Sequence, residues 1–473
     1  MSARSAQRQL AEFVASAPLG WGMTEAAAIV QQAWLDTLAV SVAGVRAPVS
    51  RGVVAYAETL GGAGRTRPWF SPRLCPPDTA ALVDAVMAHA LDYDDVTPAW
   101  RGHPSCVLFP ALTALAVQCD ATGQDVLQAY VVGFETGACL GGALTGRHYE
   151  KGWHATSTIG VVAATAAGCR LLGLPAHTTC DAIGLALAQA SGMQANFGSD
   201  AKALQAGFAA AGAVRACLLA ASGIGSTDTV LDGRKGFVDL YTDGWVGASP
   251  MAELGLGPTA IIQRGIEMKL YPMCYAAHRA IEAALLLREE GPVDLGSIAA
   301  IEIEGTPGAH TPLLPRLPSN EQEARFSVEF GVACALVDGG VRLGSFADGM
   351  RARPEVQALM HRSSAYEVTG APAPRCATVR IRGRDGRVQE RLVSRAANGS
   401  IDEGALMSKI VDCLDSVGVA DEARAIRSLF DDGLRAPVAA MMASGPLARI
   451  RDRVSVAEPA RPSGTAASGA RDA

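Results

Sequence analysis

From about residue 5 to about residue 260 the apolar residues recur at three- and four-residue intervals, the spacing of one helical face. "EAAAIVQQAWLDTLAVSVAG" carries that spacing and stops at Gly44, as helices often do. "DTAALVDAVMAHALDYDD", "DVLQAYVVGFETGACLGGAL", "TSTIGVVAATAAGCRLLG", "DAIGLALAQASGM" and "ALQAGFAAAGAVRACLLAASG" repeat it. Several of these are apolar nearly all round, so they belong inside a helical assembly. After about residue 265 the period changes. "GSIAAIEIEGTPG" alternates Ile301 and Ile303 with acidic neighbours, which predicts a strand. "CATVRIRGRDGRVQERLVS" predicts a hairpin turned by Asp385-Gly386. "HRAIEAALLLREE" and "ARFSVEFGVACALVDG" add helices to this region, and "DEGALMSKIVDCLDSVG" opens a further helical stretch. The predicted fold is mainly α, a large all-helical domain plus a smaller α+β domain. Residues 1–265 form the first part of the helical domain, 266–398 the α+β domain, and 399–450 a return to the helices. The Pro/Ser/Ala/Gly-rich end, 451–473, reads as a disordered tail, and no internal repeat is visible.

Composition narrows the class. Of 473 residues 49% are hydrophobic but only 5% aromatic, which suits closely packed helices better than a β-sandwich. Small residues on several helix faces also allow close approach between subunits, so an oligomer is expected. A net charge of −6 gives no case for nucleic acid or an anionic membrane as partner. The eleven cysteines are scattered singly with no CxxC, which suits a reducing compartment. The N-terminus lacks an apolar core of signal-peptide type, and the longest apolar run, 159–169, is too short to cross a bilayer. A soluble cytoplasmic protein is the expectation.

Four stretches set ionisable groups at the edge of apolar segments. "LDYDDVTPAWRGHPS" holds Asp92, Asp94, Asp95, Thr97, Arg101 and His103. "KGWHATSTIG" puts His154 before Thr156, Ser157 and Thr158 at a helix start, where free N–H groups can seat a carboxylate. "NFGSDAKALQAG" brings Lys202, and "EMKLYPMCYAAHRAIEAALLL" brings Lys269, Tyr271 and His278. Taken singly, each has an ordinary reading: an N-cap, a satisfied core histidine, a surface lysine. Three histidines and two lysines in equivalent settings point instead to a site. HExxH, HxH, GxxxxGK[ST] and a strand-borne GxGxxG or GxSxG are all missing, so neither metal nor cofactor is expected. What remains is acid–base chemistry on an anionic substrate.

Together these stretches resemble the MmgE/PrpD family. "HALDYDDVTPAWRGHPSCVLFPALTALA", "GWHATSTIGVVAATAAGCRLLGL", "GSDAKALQAGFAAAGAVRACLLAASG", "KLYPMCYAAHRAIEAAL" and "EARFSVEFGVACALVDG" follow its segments in order, across roughly residues 5–450. The resemblance implies a helical domain plus a smaller α+β domain with the site between them, a homodimer, and cofactor-independent chemistry on di- or tricarboxylates. It carries the family's site positions onto Asp92, His103, His154, Lys202 and His278, with Lys269 nearby.

Two departures matter. The threonine that follows the paired aspartates in the family is Val96 here, with Thr97 one place later, so that hydroxyl is expected to be displaced or lost. Phe330 stands where some members, the decarboxylase among them, have tyrosine, which argues against decarboxylation. The expected roles are carboxylate binding by Lys202, Lys269, Thr97 and Thr156, and proton transfer by His103 and His154. His278 is the candidate acid for a leaving hydroxyl. Asp92 either pairs with a histidine or, if burial dominates, acts as a base of raised pKa. The leading expectation is a hydro-lyase of the 2-methylcitrate dehydratase type. The alternatives are an epimerase of an amino- or imino-dicarboxylate, a cis-aconitate-type decarboxylase, and a non-catalytic carboxylate binder.

Overall fold

The computed structural model describes residues 5–18, 23–144, 146–242, 251, 254–255, 259–291, 294–314, 317–370, 375–394 and 402–454. The helices that carry the site are α1 (Met23–Gly44), α2 (Pro77–His89), α3 (Ser105–Cys119), α4 (Gly123–Leu144), the single turn α5 (Ala155–Thr158), α6 (Gly160–Leu171) and α7 (Asp200–Ala221). Helix α7 packs along α2 and α6. The α2 contact is close because Gly207 faces it: a Cβ there would lie 2.7 Å from Val86 and 3.0 Å from the Leu82 carbonyl. That close approach sets the first turn of α7, with Lys202, beside the last turn of α2, with His89. Helices α1 and α7 are long and apolar enough to cross a bilayer, beyond what the 159–169 run suggested, yet 72% of the apolar window of each is buried inside the protein.

The second core lies around α8 (His278–Glu289), β1 (Ile298–Gly305), α9 (Val328–Asp338), β2 (Ser363–Glu367), β3 (Cys376–Gly383) and β4 (Val388–Ser394). The sheet order is β2-β1-β3-β4; β1 pairs parallel with β2 and antiparallel with β3. Ile301, Ile303, Val379 and Ile381 turn one face onto α8 and α9, and the expected hairpin joins β3 to β4 with Gly386 at φ +82°. The chain then returns: Leu406, Ile410 and Leu414 of α10 (Glu403–Asp415) pack into the same core as α1. The last described helix, α11 (Gly445–Val454), takes in the first four residues expected in the tail, and 455–473 lie outside the described residues.

Candidate active site

Helix α2 ends at His89, and the next turns carry two left-handed residues, Asp92 at φ +49° and Arg101 at φ +55°. Such backbone costs a non-glycine residue about 1 kcal/mol or more, and it persists where surrounding bonds over-determine it. Those bonds are present. Val96 and Glu267 exchange backbone N–H···O bonds of 2.9 and 2.7 Å, and Thr97 N–H donates to the Gly102 carbonyl at 2.9 Å. The first pair ties the 92–103 loop to the segment that ends in Lys269. A Cβ on Gly102 would meet Trp100 and, at 2.9 Å, the Thr156 nitrogen, so glycine is needed to bring this loop against α5.

Two ammonium groups then converge on one carboxylate oxygen. Lys202 Nζ lies 2.7 Å and Lys269 Nζ 2.8 Å from Asp92 Oδ1, and Lys269 also donates to the Asp92 carbonyl at 2.7 Å. Burial raises the Asp92 pKa, but the two lysines outweigh it and hold the group well below the ordinary carboxylate range. Asp92 is therefore an anion anchored by the two lysines. Burial dominates instead at Asp95, whose carboxyl is pushed up to about 8 while it takes bonds from the Ser105 N–H and hydroxyl.

Asp94 orients two imidazoles. Its oxygens lie 2.8 and 3.0 Å from His89 Nδ1, and Oδ2 lies 3.1 Å from His103 Nδ1. Burial raises the Asp94 pKa, and the two imidazoles bring it well below the ordinary value. An ionised carboxylate only accepts, so the His89 ring carries its proton on Nδ1. His103 turns its Nε2 to within 3.7 Å of Asp92 Oδ1 at the cavity wall. Burial, aided by both lysines and opposed by Asp94, lowers the His103 pKa to about 3, so the ring is a neutral base. His154 has the tautomer opposite to that of His89. Met193 N–H donates to Gln205 Oε1, which turns the Gln205 amide nitrogen to His154 Nδ1 at 3.2 Å. The proton of His154 is left on Nε2, at the cavity. Burial and the nearby Lys202 hold its pKa well below 6.5.

The cavity bounded by these residues has a volume of about 560 Å³ and takes walls from both cores. Its described lining includes five cationic side chains (Arg101, Lys202, Lys269, Arg279 and Arg375), three carboxylates (Asp92, Glu150 and Glu267) and three imidazoles (His103, His154 and His310). With the imidazoles neutral, the wall carries an excess of positive charge. His89, Asp92, Asp94 and His103 place ligand atoms within 4.8 Å of one another, a cluster invisible in the spacing of the sequence. A metal ion there would meet the two ammonium groups already on Asp92 Oδ1, one of which, Lys202, also faces His89, so the donor set fits lysine cations rather than a metal.

Asp92, His103, His154, Lys202, Lys269, Thr97 and Thr156 all line this cavity. The hydroxyls are largely engaged: Thr97 donates to the Gly265 carbonyl at 2.9 Å, and Thr156 accepts from His103 N–H at 3.1 Å. Ser157 donates to the Gln205 carbonyl and Thr158 bonds His148, so these two hydroxyls are committed to internal bonds. His278 is not among the described lining residues. It opens α8 with its ring between Tyr271 and Tyr275 and its Nε2 at 3.2 Å from the Met273 carbonyl, while its neighbour Arg279 lines the cavity. Phe330 likewise lies in the second core, 5.3 Å from Phe346. His89, Gln205, Arg279 and His310 were not singled out from sequence.

Both halves of the chain match one family: residues 8–246 match the MmgE/PrpD N-terminal domain and residues 271–432 the MmgE/PrpD C-terminal domain. The chain belongs to the MmgE/PrpD family. Among curated relatives, cis-aconitate decarboxylase of Homo sapiens is 29% identical over 342 residues, 69% of each chain. Cis-aconitate decarboxylase of Aspergillus terreus is 30% identical over 344 residues, 68% of this chain and 70% of that one. The two MmgE/PrpD regions meet at the cavity, since Lys202 comes from the first and Arg279 from the second.

Proposed function

We propose that this protein is a cofactor-independent lyase that decarboxylates an unsaturated tricarboxylate of the cis-aconitate kind. The observation that carries the reading is the excess of cationic side chains, centred on Lys202 and Lys269, around two neutral imidazoles. The relatives named above favour decarboxylation over the dehydration expected from sequence. The argument from the missing Phe330 hydroxyl weakens, since that ring packs in the second core rather than at the cavity.

In the proposed reaction the C–C bond to one carboxylate breaks and its electron pair stays on the substrate. The double bond shifts toward the vacated carbon, carbon dioxide leaves, and one proton is added at the far end of the former alkene. Lys202 and Lys269 hold the carboxylates where charge develops, a contribution of about 3 kcal/mol per well-placed donor. The imidazoles are neutral before binding, and a polyanion beside them raises their pKa values, so either His103 or His154 takes up the proton that carbon later receives.

The test is incubation with cis-aconitate in D₂O, followed by NMR. Loss of one carboxyl with one deuteron incorporated supports the reading. Hydration or dehydration of cis-aconitate, citrate or 2-methylcitrate without carbon dioxide release supports the hydro-lyase instead, and inertness toward all of them sinks both.

A further inference from the structure

His89 is buried, at 2% exposure, and is absent from the described cavity lining, yet it touches the lysine that faces the substrate. Its Nδ1 proton is committed to Asp94, at 2.8 and 3.0 Å from the two oxygens. That commitment leaves a lone pair on Nε2, and Lys202 Nζ lies 2.8 Å from it. An ammonium has three N–H groups. One goes to Asp92 Oδ1 at 2.7 Å and one to His89 Nε2, so the third direction is set. Phe197 and Phe326 flank the ammonium, each ring centroid 5.6 Å from Nζ, and both line the cavity with Lys202. A protonated His89 would oppose Lys202 across that contact. Burial, together with Lys202, lowers its pKa against the pull of Asp94, which keeps the acceptor available.

We propose that His89 is a positioning residue: held by Asp94 in one tautomer, it aims the Lys202 ammonium at a substrate carboxylate. This rests on the reading that Lys202 binds a carboxylate. Direction matters because a donor misplaced by an ångström loses much of its hydrogen bond to an anion.

Two substitutions in the full chain separate the contacts. His89→Asn keeps a short N–H for Asp94 and loses the acceptor for Lys202, whereas the longer amide of His89→Gln can present its oxygen to Lys202. The readouts are kcat and KM for cis-aconitate and calorimetric binding of tricarballylate, a saturated tricarboxylate. His89→Asn is expected to weaken tricarballylate binding and raise KM roughly tenfold to a hundredfold, the range for one charge-assisted hydrogen bond. His89→Gln should recover most of that loss, and neither effect should appear when Lys202→Met is already present. Wild-type affinity in His89→Asn overturns the proposal. So does an equal loss in both variants with unchanged melting, since it would reflect ring packing alone. If His89→Asn does not fold, a folded His89→Gln with more than about tenfold weaker binding overturns it as well. A wild type that binds tricarballylate with this pattern but leaves cis-aconitate intact removes the decarboxylase reading alone. A wild type that does not bind tricarballylate removes both.

Discussion

Lys409→Met removes the cation that balances a fully buried carboxylate beside the site. Asp36 lies on α1, with Oδ1 2.6 Å from the Lys409 ammonium, and the same ammonium donates to the Tyr93 carbonyl at 2.8 Å, between Asp92 and Asp94. Burial raises the Asp36 pKa above 3.8, and Lys409 is the main influence pulling it down. Without the lysine, a charged Asp36 would cost several kcal/mol, so the folded protein keeps it protonated. Holding that proton costs ~1.4 kcal/mol for each pH unit above the unfolded pKa, hence ~2 kcal/mol at about pH 5.5 and ~6 kcal/mol at about pH 8. The sign follows from the raised folded pKa: this stability is present in full below the unfolded value and is lost as pH rises. The lost bond to Tyr93 adds about 1 kcal/mol at any pH, while the methionine keeps most of the packed stem. Urea melts of wild type and variant at the two pH values should show a stability gap that widens by up to ~3.5 kcal/mol toward alkaline pH. Adding Asp36→Asn should recover most of the alkaline loss. A gap of equal size at both pH values would refute the reasoning, because it would mean that Asp36 does not change its proton occupancy when Lys409 is removed.

Asp95→Asn should flatten another pH dependence. The Asp95 carboxyl sits near 8 against an ordinary 3.8, so its stability contribution is full below that lower value and lost as pH rises through about 8. The variant should out-melt wild type in alkaline buffer, and a parallel decline in both would contradict the assignment. Binding of tricarballylate should take up protons, because His103, held at about 3, is neutral in the free protein and gains charge beside a polyanion. Calorimetry in two buffers of different ionisation heat measures this uptake, and identical heats would exclude it. Arg279→Met removes a cavity cation whose guanidinium lies 5.4 Å from the Tyr275 ring centre, and should raise KM roughly tenfold with a smaller change in kcat. An unchanged KM would take Arg279 out of substrate binding.

Much of the architecture was legible in one dimension because helices and strands repeat along the chain. The periods predicted α1, α2, α7, the strand through Ile301 and Ile303 and the Asp385-Gly386 hairpin, each close to where the structure has it. The lysines and two of the three histidines stood out because each interrupts an apolar segment. His89 did not, since it closes an apolar helix like any last-turn histidine, and its partners Asp94 and Lys202 declare themselves only in space. His278 and its neighbour face different ways for a local reason: consecutive helical residues point about 100° apart, so Arg279 reaches the cavity while His278 turns to the Met273 carbonyl.

The sequence by itself determined the element types, the change of texture near residue 265, the family and the set of ionisable groups available for chemistry. Those properties depend on local spacing and residue type, which the chain carries in its order. The tertiary structure alone decided the protonation states. Asp92, Asp94 and Asp95 are close neighbours in the chain, yet two are held as anions and one is pushed up to about 8. The difference comes from their partners: lysines from distant segments on Asp92, two imidazoles folded against Asp94, and a serine hydroxyl that brings no charge to Asp95. The electrostatic energy of a buried group depends on distance to such charges, and folding, rather than position in the chain, sets those distances.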